Sequence, residues 1–161
     1  ALFNVAIDSK LRGCDLVQLK VSDVMRNGKI LSRAVVVQQK THKPVRFEIT
    51  EQSRESLFNL INDKQLGYHD YVFKSRLSSS EHLSTRQYAF IVKKWVKSIG
   101  LDPMEYGTHS MRRTKVSLIY QKTKNIRVVQ LLLGHSKLES TIRYLGVEVD
   151  DALEVSEHME V

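Results

Sequence analysis

Leu133-Gly134-His135-Ser136 forces a corner, and the remaining chain has to be built around it. Apolar residues leading up to Leu133 recur at helical spacing. Gly134 suits the left-handed position just past a helix end. Ser136 followed by Glu139 has the pattern of a capping box that would start a second helix. The stretch therefore predicts the end of one helix, a corner holding His135, and a short helix carrying Tyr144. By itself it has two readings: a corner histidine beside a half-buried aromatic, or two reactive groups held close together.

Upstream, the hydrophobic period changes twice. Residues 1–8 place Leu2, Phe3, Val5, Ala6 and Ile7 in a helical run, followed by Lys10-Leu11-Arg12-Gly13-Cys14-Asp15-Leu16. Here Leu16 and Leu19 can face a core while Arg12 and Asp15, three apart, share a neighbouring strip. Arg12 falls where a helix begins or bends. Asn27-Gly28 is a turn signal. Lys29 to Gln39, centred on Val35-Val36-Val37, reads as a strand, and Val45 to Ile49 alternates strictly between apolar and polar, the mark of a strand with one buried face. Together they predict a hairpin with Lys40 at its tip, beside the Thr41-His42-Lys43-Pro44 turn. Tyr71-Val72-Phe73 is expected to add a third short strand, giving a mainly helical α+β fold with a small antiparallel three-stranded sheet.

Helices account for most of what remains. Thr50 caps one over 51–64, with Leu57, Leu60 and Ile61 inward. Ser78-Ser79-Ser80 is a polar connector. Ser84 and Gln87 form a capping box before a helix striped with Tyr88, Ile91, Val92, Trp95 and Ile99, read as core because no basic residues interleave on that face. Gly100 and Pro103 break it. Gly107-Thr108-His109-Ser110-Met111-Arg112-Arg113-Thr114 opens a helix to about Gln121, with His109, Arg112, Val116 and Ile119 on one face. A buried arginine is costly without a partner; a structural ion pair or a bound anion would each resolve that cost. Asn125 to Leu133 is the next helix, and Val149 to Met159 reads as a final acidic amphipathic helix.

Length and composition bound the function. The 161 residues suffice for one domain, burying roughly 70% of its unfolded surface. No run of eighteen apolar residues exists, so no membrane span is expected. Cys14 is the single cysteine, which fits a reducing, cytoplasmic compartment and a packing role. Six of the 18 acidic residues and none of the 25 Lys and Arg lie in 147–161, so the first 146 residues carry 25 basic against 12 acidic side chains, net +13. Such a body suits a polyanion, with nucleic acid first, although a solvated surface has the same composition. The abrupt apolar start on Ala1 suggests a fragment lacking its upstream part. Gly-rich phosphate loops, zinc-type cysteine spacings, clustered carboxylates for two metals and a serine nucleophile elbow are all missing from the sequence.

Four separated pieces line up in order: an arginine near the start, a lysine at a hairpin tip, His-x-x-Arg opening a helix, and Gly-His with a tyrosine nine residues later. In this the chain resembles the tyrosine recombinases, the phage integrases and Xer-like recombinases, over nearly its whole length. The resemblance implies a tyrosine recombinase catalytic domain over 1–146 and an acidic C-terminal helix over 147–161 that is exchanged between protomers. It implies catalytic roles for Arg12, Lys40, His109, Arg112, His135 and Tyr144, with Asp15 as a structural support and Lys43 lying near Lys40. Lys10 departs from the pattern, because a glycine commonly stands before the Leu-Arg pair.

The implied reaction is DNA cleavage and rejoining through a 3′-phosphotyrosine, with no metal and no cofactor. The implied partner is double-stranded DNA, bound by a homo-tetramer of the full-length protein in a bacterial host. Two arginines would clamp the phosphate, where loss of one such donor costs on the order of 10²–10³ in rate. Tyr144 would be the nucleophile, His109 its proton acceptor, Lys40 the acid for the 5′-hydroxyl, and His135 a phosphate ligand. A type IB topoisomerase-like enzyme and a non-catalytic DNA-binding relative are the alternatives. In the DNA-free chain Tyr144 is expected to be displaced or disordered.

Overall fold

The computed structural model describes residues 1–76, 80–146 and 157. Leu77, Ser78 and Ser79 of the polar connector, and the expected acidic helix over 149–159 apart from Glu157, lie outside the described residues.

Helix α1 (Leu2–Ser9) buries Val5 and Ala6 and stops at Lys10, whose φ of 53° is left-handed. A non-glycine residue there costs about 1–2 kcal/mol. The lysine offsets that cost with its side chain: buried, it donates to both carboxylate oxygens of Glu48 at 2.8 Å. The departure from glycine is therefore a built feature. Helix α2 (Gly13–Val17) follows with Arg12 as its N-cap residue, then α3 (Val21–Val24).

The sheet differs from the expected three strands. Strands β1 (Met25–Arg26) and β2 (Lys29–Ile30) form one antiparallel pair, and β3 (Arg33–Val37) and β4 (Pro44–Glu48) another. The expected continuous strand 29–39 breaks at Leu31-Ser32 because the chain changes partner there. Leu31 N donates back to Val24 O at 2.8 Å, whereas Ser32 O accepts from Ile49 N at 2.9 Å. Tyr71 makes only an isolated bridge to Lys20. Val72 N bonds to Leu19 O and Val21 N to Asp70 O, so the segment is tied to the α2–α3 connection and not to the hairpin. Alternation places Val45 and Phe47 inward and Arg46 outward on β4, as the period of two requires.

Helices complete the body. Thr50 caps α4 (Glu51–Asp63), and the Ser84–Gln87 capping box starts α5 (Thr85–Ser98). Tyr88, Val92 and Val96 of α5 are buried, but Ile99 lies beyond the last turn and is exposed. Helix α6 (Thr108–Thr123) packs on α1, and α7 (Ile126–Leu133) packs against α6 and β4. Asn125 caps α7 through its side chain, 3.1 Å from Val128 N. Helix α8 (Leu138–Leu145) packs on α7.

Two apolar clusters result. The larger joins α1–α5, the hairpin and Met111 of α6, around Leu16, Leu19, Leu57, Tyr88 and Val92. The smaller consists of buried Val116, Val129 and Leu133, with Ile119, Tyr120, Leu132, Tyr144 and Leu145 packed against it. No helix among the described residues is long and apolar enough to cross a membrane.

Candidate active site

The two clusters meet at a seam, and four of the six candidate residues, Arg12, Arg112, His135 and Tyr144, converge there. Arg12 reaches it from the N-cap position of α2, where the backbone is extended and the side chain is free to turn toward the hairpin. Its Nη1 donates to Gln38 Oε1 at 2.8 Å. The pairing with Asp15 that the spacing allows is not made: Asp15 Oδ1 instead accepts from Gln39 N at 2.9 Å, fixing the hairpin to α2. Arg112, on the second turn of α6, is only 2% exposed and donates through Nη2 to Leu133 O at 3.0 Å. That carbonyl is free to accept because α7 ends there, and helix-terminal carbonyls have no partner within their own helix.

Gly134 makes the corner. Its φ is +66°, and a Cβ there would come within 2.5 Å of Val45 Cγ2 on β4, so both conformation and space demand glycine. The expected Ser136–Glu139 capping box does not form. Lys137 is the N-cap residue of α8 and makes no side-chain cap, because the corner extends one residue further. The Ser136 hydroxyl is taken up differently, accepting from Lys43 Nζ at 3.0 Å.

His135 sits at the corner with Nδ1 3.1 Å from the buried Thr141 hydroxyl, a contact that orients the ring. Burial, then the charges of Arg112 and Arg12, push its pKa down to about 4, so the imidazole is neutral at physiological pH. Tyr144 is docked, contrary to the displacement expected from the sequence. Its ring lies edge-on to His135 with centroids 5.5 Å apart, and Arg112 Cζ and Arg113 Cζ are 5.9 and 5.6 Å from its centroid. Packing against Val116, Val129 and Leu133 holds the ring in place. Burial raises the phenol's pKa, while Arg112, Arg113 and Arg12 act against that rise. The hydroxyl feels the Arg112 charge but makes no hydrogen bond of acceptable geometry. Both the Tyr144 hydroxyl and Arg112 Nη1 are buried without a partner among the described residues.

Two of the six candidates are not brought in. His109 is exposed on the first turn of α6, so only Arg112 and Val116 of its expected face are fully buried. Lys40 is exposed in the β3–β4 turn, with no hydrogen bond or ion pair among the described residues, whereas Lys43 of the same turn touches the corner. Among the described residues no group of three or more His, Cys, Asp or Glu side chains converges as a metal site.

Sequence reading overlooked a charged network behind the site. Lys115, one turn beyond Arg112, bonds Asp8 Oδ1 at 2.6 Å and Glu48 Oε1 at 2.7 Å; Glu48 in turn holds Lys10. Burial pushes the Asp8 carboxyl up, but bonds from Lys115, Ser53 and Thr50 outweigh it and bring the pKa to about 2. The network ties α6 to α1, β4 and α4. Its one visible signal was Lys10 in a glycine position.

The seam thus gathers two guanidinium groups, a neutral imidazole and a phenol, with Arg112 Nη1, the Tyr144 hydroxyl and Asp15 Oδ2 buried and without a hydrogen-bond partner among the described residues. The chain belongs to the phage integrase family, whose sequence profile matches residues 1–150. It is 31% identical over 149 residues to a probable integrase/recombinase, YoeC, of Bacillus subtilis, covering 92% of this chain and 77% of that protein. It is 25% identical to the tyrosine recombinase XerD of Rickettsia bellii, covering 93% of this chain and 52% of the relative. The chain thus spans about three quarters of the first relative and about half of the second. Solved structures share the fold. The XerH site-specific recombinase in a post-cleavage complex with its palindromic difH substrate matches with a TM-score of 0.78 and 22% identity, over 98% of this chain and 44% of that one. XerA recombinase matches at 0.75 and 21%, over 98% and 57%.

Proposed function

We propose that this chain is the catalytic part of a site-specific DNA recombinase or integrase, acting on double-stranded DNA through a 3′-phosphotyrosine. The observation that carries this reading is that Arg112 Nη1 and the Tyr144 hydroxyl, close to one another and to His135, are both buried without a hydrogen-bond partner among the described residues. Each costs on the order of 1–3 kcal/mol unpaired. A phosphodiester supplies oxygens for the arginine and a phosphorus for the phenol. Family membership and the DNA-bound recombinase among the fold neighbours support the same reading.

In this scheme Arg12 and Arg112 hold the non-bridging oxygens, and fork-shaped, permanently charged guanidinium groups suit that task. Neutral His135 donates one further hydrogen bond to the phosphate. Tyr144 Oη attacks phosphorus, its proton passing to His109, and the bond to the 5′-oxygen breaks as Lys40 protonates it, both exposed side chains turning in on the bound DNA. Lys43 is the second candidate for that acid, because its Nζ already reaches Ser136 beside His135. A 5′-hydroxyl of another strand then attacks the phosphotyrosine and releases Tyr144. The ester energy is kept throughout, so the scheme calls on neither metal nor nucleotide. Residues 1–146 form the catalytic unit in this reading, and the acidic segment 147–161 docks on a neighbouring protomer in a tetramer on DNA.

A suicide duplex selected by the protein from a random-sequence pool tests the reading. The wild-type chain is expected to form a covalent protein–DNA adduct, and Tyr144→Phe none. Equal adduct from Tyr144→Phe would overturn it. Binding without any adduct from wild type would favour a non-catalytic DNA-binding protein. Relaxation of supercoiled plasmid without strand exchange would favour a topoisomerase.

A further inference from the structure

Gln38 is fully buried at the end of β3, and its short side chain spans the seam. Oε1 accepts from Arg12 Nη1 at 2.8 Å and from the Thr41 hydroxyl at 2.9 Å. Nε2 faces Leu133 O at 3.4 Å, the same carbonyl that accepts from Arg112 Nη2 at 3.0 Å. Its backbone closes the hairpin turn that carries Lys40: Gln38 N donates to Lys43 O at 3.0 Å, and Gln38 O accepts from His42 N at 2.8 Å. A Cβ on Gly134 would lie 3.5 Å from Gln38 Oε1, so the amide also forms part of the floor of the His135 corner.

Among the described residues, every acceptor that holds the two guanidinium groups is neutral. An amide oxygen holds Arg12 and a peptide carbonyl holds Arg112, while the nearby Asp15 carboxylate is bonded to the hairpin backbone. A carboxylate in either position would pair with the arginine and compete with a phosphate for it. Neutral acceptors fix direction and leave the charge available.

We propose that Gln38 is a positioning residue for phosphodiester cleavage, aligning Arg12 with Arg112 through the Leu133 carbonyl without neutralising either. This rests on the function proposed above. Gln38 touches no reacting atom; it acts through Arg12, through the turn bearing Lys40, and through the corner bearing His135. A misplacement of about 1 Å in such a group can cost on the order of 10² in rate.

Two variants separate direction from charge. Gln38→Met keeps the volume and removes all three side-chain bonds; Gln38→Glu keeps the acceptors but adds a charge. Single-turnover adduct formation on the selected suicide duplex is read beside duplex affinity, and the Arg12 guanidinium is followed by NMR in the DNA-free protein. For Gln38→Met, the adduct rate should fall about 10²-fold with affinity changed less than about threefold, and the Arg12 signals should show faster side-chain rotation. Gln38→Glu should keep the slow Arg12 rotation and still lose rate. The proposal is overturned if either variant that folds reacts at the wild-type rate, or if Arg12 rotation in Gln38→Met is unchanged. Should wild type give no adduct, the recombinase reading fails by itself, and the Arg12 signals still decide whether Gln38 aligns that arginine.

Discussion

The body built from α1–α5 and the hairpin and the unit formed by α6–α8 are held together on different scales. Among the described residues the body's cluster has nineteen buried members, drawn from nearly every element. The C-terminal cluster has three described members, Val116, Val129 and Leu133, and Tyr144 is one of the half-buried residues that cover it. Burying one aliphatic side chain stabilises by roughly 1.5–3 kcal/mol, so α8 rests on the contributions of a few side chains. The arginines have firmer anchors. Arg12 leaves α2 inside the body, and Arg112 lies where Lys115, Asp8 and Glu48 bind α6 to it. The contrast separates two arginines anchored in the larger body from a tyrosine carried on a helix that packs on few buried side chains. Local stability of this kind varies across a single structure and is read by amide exchange.

Paired truncations give the largest test of that contrast. Leu57 and Leu133 are both fully buried, one in each cluster. Leu57→Ala should cost about 2–5 kcal/mol of global stability, lowering the denaturant midpoint of the whole chain. Leu133→Ala should instead accelerate amide exchange in α7 and α8 while α1–α5 keep their protection. A uniform loss of protection in Leu133→Ala would erase the distinction between the regions.

A smaller effect comes from His135. Its pKa in the folded state, about 4, lies below the ordinary 6.5. Between those values the unfolded chain takes up the proton first, so stability falls as pH drops from about 6.5 and levels off below about 4. The ring is partly exposed, which keeps the effect modest. Exchange of the α8 amides should quicken over this window, and His135→Gln should flatten the response. An unchanged pH profile in His135→Gln would remove His135 from the account of how α8 is held.

Much of the fold was legible in the sequence because period and punctuation agree along it. Thr50, the Ser84–Gln87 box, Asn125 and Gly134 mark helix ends where the structure has them. Convergence of Arg12, Arg112, His135 and Tyr144 followed from the family pattern, not from periodicity, since residues 132 positions apart in sequence share no local signal. What escaped was set by long-range hydrogen bonding. The strand break at Leu31-Ser32 depends on Val24 and Ile49, and Tyr71 found its partner at Lys20. Ser136 looked like a cap, yet Lys43 from a hairpin 93 residues upstream claims its hydroxyl. The docking of Tyr144 was unreadable for the same reason: it depends on the small cluster formed by α6 and α7, which no single helix reveals.

The central claim is that Tyr144, the proposed nucleophile, is already docked beside Arg112, Arg113 and His135 in the DNA-free protein. Proton NMR of the aromatic rings tests it most directly. With ring centroids 5.5 Å apart, nuclear Overhauser contacts between Tyr144 and His135 should be observed, and the Tyr144 phenol should titrate above the ordinary tyrosine value of 10. Absent contacts, with Tyr144 titrating as a free tyrosine, would contradict the account.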